Sequence, residues 1–265
     1  MIARDDIAGR LREAQETGKP IPAPTDEWPD LTLADAYAIQ RINLDRRMAS
    51  VGERGTQPRH VGWKVGITSR AVQEWLGVAE PDFGGLLCDM DVPNNGGVSI
   101  GRFLQARVEG EIAFVLKKSL VGPGITAAQA IAAIDFVLPS IEIIDSRVID
   151  WKFRIQDTIA DNASSAMFVL GSRPTSLHDV DLRLVGATLR RNGRVVSTGA
   201  GAACLGNPVN ALVWLANKLG EFGEQLHAGQ VVLSGALGPV SPVASGDVVS
   251  VAVGTMGEVT VTFDP

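Results

Sequence analysis

The stretch Arg107-Val108-Glu109-Gly110-Glu111-Ile112-Ala113-Phe114-Val115-Leu116 constrains the fold more than any other. Its β-branched and aromatic residues predict a strand, and side chains alternate between the two faces of a strand. Glu109 and Glu111 then share one face with Ala113 and Val115, while Ile112, Phe114 and Leu116 form a core face. Two adjacent carboxylates repel each other and resist burial. Glutamates at alternate positions are the usual mark of a solvated face. Here Gly110 removes the side chain between them and the strand turns strongly apolar, which argues for an enclosed setting. A second apolar strand is predicted over Phe136–Ile144, with Glu142 alone between isoleucines. No basic residue lies beside it, so a cation is the expected partner. Three carboxylates suit a hard divalent ion, Mg²⁺ or Mn²⁺, with positions left for water or substrate.

Other classes are disfavoured. The formal charge is −6 and no basic cluster offsets it, so nucleic acid is not an expected partner. No apolar run is long enough to span a bilayer. The charged start Met1-Ile2-Ala3-Arg4-Asp5-Asp6 is unlike a signal peptide, and a cytoplasmic location is expected. Cys88 and Cys204 are too few for a disulfide framework and fit a reducing compartment. With His60, His178 and His227 scattered in loop-like surroundings, a zinc cluster lacks ligands and each histidine reads as surface or packing.

Residues 1–58 are expected to form a small helical N-terminal lobe. Ala3, Ile7, Leu11 and Ala14 predict a helix over 3–18, stopped by Gly18 and Pro20. Pro22, Pro24 and Pro29 mark a link, Thr32 and Asp35 a capping box opening a helix over 33–48, and 52–58 a polar loop. Residues 59–265 are expected to form the catalytic domain, an α+β unit dominated by a curled, mostly antiparallel sheet. A strand over 60–67 has glycines on alternate positions, Ser69 and Thr126 cap short helices, and Pro81-Asp82-Phe83-Gly84-Gly85 reads as a turn. Leu182–Leu189 and Val195–Ser197 flank Asn192-Gly193, a type I′ hairpin signal. Asn207-Pro208 opens an amphipathic helix, and strands over 231–233, 247–253 and 259–263 close the sheet.

Lys64 lies on a strand face shared with Gly62 and Gly66, where it can meet an anion or simply snorkel to water. Asp82 opens a glycine turn, where aspartates are usually turn formers. Residues 155–165 pack polar against apolar and read as a capped loop or a polar wall. Gly199-Ala200-Gly201 follows a hairpin strand and is a weak dinucleotide signal.

Taken together, Gly62-Trp63-Lys64-Val65-Gly66-Ile67-Thr68, Leu76-Gly77-Val78 through Pro81-Asp82-Phe83-Gly84, Arg107 through Ile112, Glu142 through Asp145-Ser146-Arg147, Asp161-Asn162-Ala163-Ser164 and Leu233 through Leu237 resemble one family. The chain is similar, from about Asp35 onward, to the 2-oxopent-4-enoate (2-hydroxypenta-2,4-dienoate) hydratases and 4-oxalocrotonate decarboxylases of the fumarylacetoacetate hydrolase superfamily. The resemblance implies a twisted β-roll with a helical lobe, assembled as homo-oligomers, often pentamers or decamers. It implies Mg²⁺ or Mn²⁺ on Glu109, Glu111 and Glu142, with Lys64 near the substrate's 2-oxygen or carboxylate, Ser164 binding that carboxylate and Asp161 orienting its loop. The expected reaction adds water at C4 of 2-hydroxypenta-2,4-dienoate to give 4-hydroxy-2-oxopentanoate in meta-cleavage catabolism of aromatic compounds, with Asp82 activating the water. Three alternatives stand beside it: a 4-oxalocrotonate decarboxylase, a mainly structural partner of one, and a hydrolase of 1,3-diketones. The first is disfavoured by the acid in Pro81-Asp82-Phe83-Gly84, the second by the intact Lys64 and glutamates, the third by the lack of a His–Glu pair. Association with a pathway aldolase or decarboxylase is a further implication.

Overall fold

The computed structural model describes residues 3–51, 55 and 57–265. Residues 52–54 and 56 of the polar loop expected over 52–58 lie outside that description. Helix α1 (Arg4–Thr17) buries Ile7, Ala8, Leu11 and Ala14 and stops at Gly18, whose φ of 67° is left-handed. A short helix, α2 (Pro24–Glu27), occupies the stretch expected to be only a link. Helix α3 (Leu33–Ala49) starts at the expected capping box: Asp35 N donates to Thr32 Oγ1 at 3.1 Å and Thr32 N to Asp35 Oδ2 at 3.2 Å. Further along come α4 (Arg70–Leu76), α5 (Ala127–Ala133), α6 (Ile155–Ala160) and α7 (Pro208–Glu221). Ser69, Thr126 and Asn207 cap α4, α5 and α7 as the sequence predicts.

The strands are β1 (His60–Gly66), β2 (Asp82–Leu87), β3 (Asp91–Val92), β4 (Gly96–Ser99), β5 (Arg107–Leu116), β6 (Ile134–Ile144), β7 (Ser165–Leu170), β8 (Gly186–Arg191), β9 (Arg194–Ala200), β10 (Val231–Leu233), β11 (Ser241–Pro242), β12 (Val248–Val253) and β13 (Gly257–Asp264). One sheet runs in the order β2-β1-β10-β5-β6-β7-β3, with β11 also beside β5. The other runs β4-β13-β12-β8-β9. β10, from late in the chain, pairs parallel with β1 and antiparallel with β5. Asn192 and Gly193 join β8 to β9 with φ of 54° and 76°, the expected I′ turn. Leu182–Val185, expected at the start of that hairpin, precedes the strand, which begins at Gly186.

The main core lies between the sheets and under the helices. It contains Ile7, Leu11 and Ile39 with Ile112, Phe114, Leu116, Val249 and Val251. A smaller cluster of Leu86, Ala113, Leu138, Phe168 and Leu233 lies on the other face of the first sheet. Gly110 is a packing position between the sheets, because a Cβ there would sit 2.9 Å from Val251 Cγ1.

The turn expected at Pro81–Gly85 is not one; β2 runs through it from Asp82. The glycines allow close approach in a buried strand. A Cβ on Gly84 would lie 2.4 Å from the Asn162 carbonyl oxygen, and one on Gly85 2.8 Å from Leu44 Cδ1.

Candidate active site

The β5–β6 ladder sets Glu109 directly opposite Glu142 and Glu111 opposite Ser140, and directly opposed residues share a face. One carboxylate oxygen from each of Glu109, Glu111 and Glu142 lies within 4.8 Å of the others. Glu111 and Glu142 are fully buried, and Glu109 is half-buried. Gly235 N donates to Glu111 Oε2 at 2.9 Å. Glu111 Oε1 and both Glu142 oxygens have no hydrogen-bond partner. Burial raises the pKa of all three, with Glu142 adding to the effect on the other two; Glu109 is pushed up to about 7. Buried carboxylates with orphaned oxygens are a donor set that fits a hard divalent cation.

Lys64 is buried, only 3 % exposed, so it does not snorkel. Its Nζ donates to the Ala163 carbonyl at 2.9 Å and lies 3.3 Å from Glu142 Oε2. Glu142 therefore has a basic neighbour, contrary to the reading of its sequence surroundings. β1 and β6 lie three places apart in the sheet, and its curl brings their side chains together. Burial disfavours the ammonium, but Glu142, Asp82, Glu109 and Glu111 outweigh it and hold the pKa of Lys64 above the ordinary lysine range.

Asp82 is at the buried start of β2, opposite Gly66 on β1. A Cβ on Gly66 would lie 2.2 Å from Asp82 Oδ1 and 3.1 Å from Lys64 Nζ. Gly66 is thus what leaves room for the two groups. Asp82 Oδ1 has no hydrogen-bond partner, and burial raises the pKa of the group against the opposing pull of Lys64.

Ser164 closes a run of three left-handed residues, Asn162, Ala163 and Ser164, with φ of 55°, 50° and 56°. Non-glycine residues rarely adopt this conformation, so the run needs support. Asn162 Oδ1 accepts from Gly85 N at 2.8 Å and its Nδ2 donates to Gly85 O at 3.0 Å. Arg147 binds the Asp161 carboxylate through its backbone N at 2.9 Å and its guanidinium, and donates to the Asp161 carbonyl at 2.7 Å. Ser164 Oγ lies 3.1 Å from Thr158 Oγ1. Arg147 and Asn162 stand within the sequence motifs and Thr158 within the polar stretch 155–165, yet none of them is assigned a role from sequence; the one local signal for the turn is asparagine, the side chain most tolerant of the left-handed region after glycine. His60, read as a surface or packing residue at the head of the 60–67 strand, opens β1 with a largely buried ring, and burial pushes its pKa down to about 4.

Residues 90–264 match the family model described as fumarylacetoacetate (FAA) hydrolase C-terminal. The chain belongs to the fumarylacetoacetate hydrolase family. Within that family it is 46% identical to 2-keto-4-pentenoate hydratase of Paraburkholderia xenovorans (strain LB400), over 98% of this chain and 95% of the relative. It is 43% identical to 2-hydroxyhexa-2,4-dienoate hydratase of Comamonas testosteroni, over 96% and 95%. Among solved structures, 4-oxalocrotonate decarboxylase from Pseudomonas putida G7, complexed with magnesium and adipate, superposes with a TM-score of 0.90 at 38% identity, covering 99% of each chain. The α+β architecture read from the sequence, a β-roll with N-terminal helices, is thus the fumarylacetoacetate hydrolase fold. Among the described residues, no helix is long and apolar enough to cross a membrane.

Proposed function

We propose that this protein is a 2-keto-4-pentenoate hydratase, a hydro-lyase that adds water to 2-hydroxypenta-2,4-dienoate to give 4-hydroxy-2-oxopentanoate in a meta-cleavage pathway. The observation that carries this reading is the 46% identity to hydratases over nearly the whole chain, with an intact Lys64–Glu142 pair at an acidic cluster. Glu109, Glu111 and Glu142 hold Mg²⁺, or Mn²⁺. Bound there, the ion supplies Lewis-acid stabilisation of negative charge at the substrate's 2-oxygen. Lys64, fixed by the Ala163 carbonyl, places its ammonium beside the same charge. Ser164 orients the substrate carboxylate. Asp82 takes the proton from the water that adds at C4; a carboxylate whose pKa is raised by burial is a better-matched base near neutral pH than an exposed one. The homo-oligomer, an association with a pathway aldolase or decarboxylase, a cytoplasmic location and the division at residue 58 belong to the same proposal.

The decarboxylase reading draws on the 38% identity to that enzyme; the higher identity to the hydratases and the acid at Asp82 favour hydration. Purified protein with Mg²⁺, offered 2-hydroxypenta-2,4-dienoate and 2-hydroxymuconate separately, should hydrate the first without releasing CO₂ from the second. Asp82→Asn should cost roughly 10²–10⁴-fold in hydration, the usual range for a general base, while still exchanging solvent deuterium into the substrate chain. NMR in D₂O reads both. Joint loss of exchange and hydration would place Asp82 at an earlier proton transfer, and loss of neither would remove it from the reaction.

A further inference from the structure

Asp82 opens β2, and β2 stands at the edge of its sheet beside β1. In antiparallel pairing, alternate residues turn their backbone polar groups away from the partner strand. Phe83 and Gly85 are such residues, and side-chain amides take the place that a further strand would fill. Asn162 bonds to both backbone groups of Gly85. Gln40 holds Phe83: its Nε2 donates to the Phe83 carbonyl at 2.9 Å. The same Nε2 donates to the Ile159 carbonyl, also at 2.9 Å. Ile159 lies in the last turn of α6, where carbonyls lack a partner within the helix.

Gln40 belongs to α3 of the helical lobe and is buried, 3 % exposed. Tyr37, three residues earlier, lies on the same face of that helix. Its ring stacks on Phe83, with centroids 4.3 Å apart and planes inclined by 16°. Helix α3 thus grips Phe83 by backbone and ring together. Side chains alternate along a strand, so while Phe83 faces the lobe, Asp82 faces the other way, toward Lys64. Asp82 and Phe83 share a peptide bond, and a shift of one carries the other.

We propose that Gln40 is a positioning residue for the hydration step: from the helical lobe it fixes the edge of β2 and with it the place of the Asp82 carboxylate. The proposal rests on the hydratase reading with Asp82 as the base. The Ser164 turn depends less on Gln40, because Asn162, Arg147 and Thr158 hold it as well.

Gln40→Leu tests this in the Mg²⁺-loaded protein with 2-hydroxypenta-2,4-dienoate in D₂O, where NMR reads hydration and deuterium exchange together. Hydration kcat should fall roughly 10–10²-fold, as small misplacements of a reacting group do, while KM and deuterium exchange stay close to wild type. Should Asp82→Asn lose both reactions, Gln40→Leu should lose both too. Ile39→Ala empties a fully buried position next to Gln40 in α3. It should destabilise the lobe and leave the ratio of hydration to exchange at the wild-type value. Amide hydrogen exchange by mass spectrometry gives a second readout: residues 82–87 should exchange faster in Gln40→Leu than in Ile39→Ala. If Gln40→Leu fails to fold, Gln40→Glu, of the same shape but with at most one proton to donate, carries the same comparisons. Wild-type catalysis in the Gln40 variant, or an equal fall of the ratio in Ile39→Ala, overturns the proposal. A wild type that neither hydrates the dienoate nor exchanges deuterium into it overturns the hydratase reading instead. Amide exchange then decides alone whether Gln40 holds β2, and no change over 82–87 overturns that as well.

Discussion

The acidic cluster on β5 and β6 and the left-handed turn at Asn162–Ser164 meet at Lys64 and are built in opposite ways. In the cluster, oxygens of Glu111 and Glu142 are buried without hydrogen-bond partners, and burial raises every carboxyl pKa. The turn has an unfavourable backbone, yet its polar groups are tied on several sides: Asn162 to Gly85, Asp161 to Arg147, Ser164 to Thr158 and the Ala163 carbonyl to Lys64. The cluster is incomplete in charge and the turn is complete in geometry. Unbalanced charge marks where a ligand finishes the structure, and a fully bonded but strained backbone marks where an atom must be held in one place.

The contrast is sharpest at Lys64, which serves both regions. Lys64→Met leaves Glu142 without its counter-charge, and removing one partner of a buried pair costs about 3–5 kcal/mol. Urea denaturation with chelator present should show a loss of that order, and kcat/KM should fall as transition-state stabilisation is lost. An unchanged denaturation midpoint would mean that the cluster does not depend on the ammonium.

The cluster itself should respond in the opposite sense. Glu109→Gln removes a repelling carboxylate, so the chelated protein should melt no lower than wild type. Mg²⁺ affinity measured by calorimetry should drop by at least the roughly 10–100-fold that loss of an outer-shell partner brings. A pH series separates the two effects. Glu109 holds its proton more tightly folded than unfolded, its pKa moving from 4.5 to about 7. The folded state therefore binds more protons in that window, and the chelated wild type should lose stability as pH rises from about 4.5 to about 7. Glu109→Gln should flatten that slope. A wild-type slope of the other sign would mean that the carboxylates are stabilised when ionised, without an added cation.

The turn should give the smallest response. Asn162→Ala leaves the Gly85 N–H and carbonyl without their partner, a loss of about 1–3 kcal/mol, with kcat reduced more than KM because the Ala163 carbonyl no longer fixes Lys64. Equal changes in the two constants would make Asn162 a structural tie only.

These regions also differed in how far the sequence revealed them. The Glu109–Glu111 face was visible because strand alternation is local, and Glu142 stood out as a polar residue among isoleucines. Capping boxes and the I′ hairpin were equally plain, each being set by neighbours a few positions apart. The Lys64–Glu142 pair was not, since it depends on the curl of a sheet that puts three strand steps between its partners. β2 reads as a turn in the sequence because glycine signals bends and close packing alike, and only the tertiary neighbours Asn162 and Leu44 decide between them. The turn at 162–164 is held from β2, α6 and the loop after β6, so its own residues barely announce it.

The place of β10 bears on how the protein is made. Val231–Leu233 lies between β1, which carries Lys64, and β5, which carries Glu111. Both outer strands leave the ribosome long before the one that separates them. Until it arrives, the sheet cannot take its final order, and long-range pairings of this kind form late and slowly. Lys64 thus reaches its native distance from the carboxylates only after residues 231–233 have been made, whereas Glu109, Glu111 and Glu142 share the directly paired β5 and β6 and can meet before then.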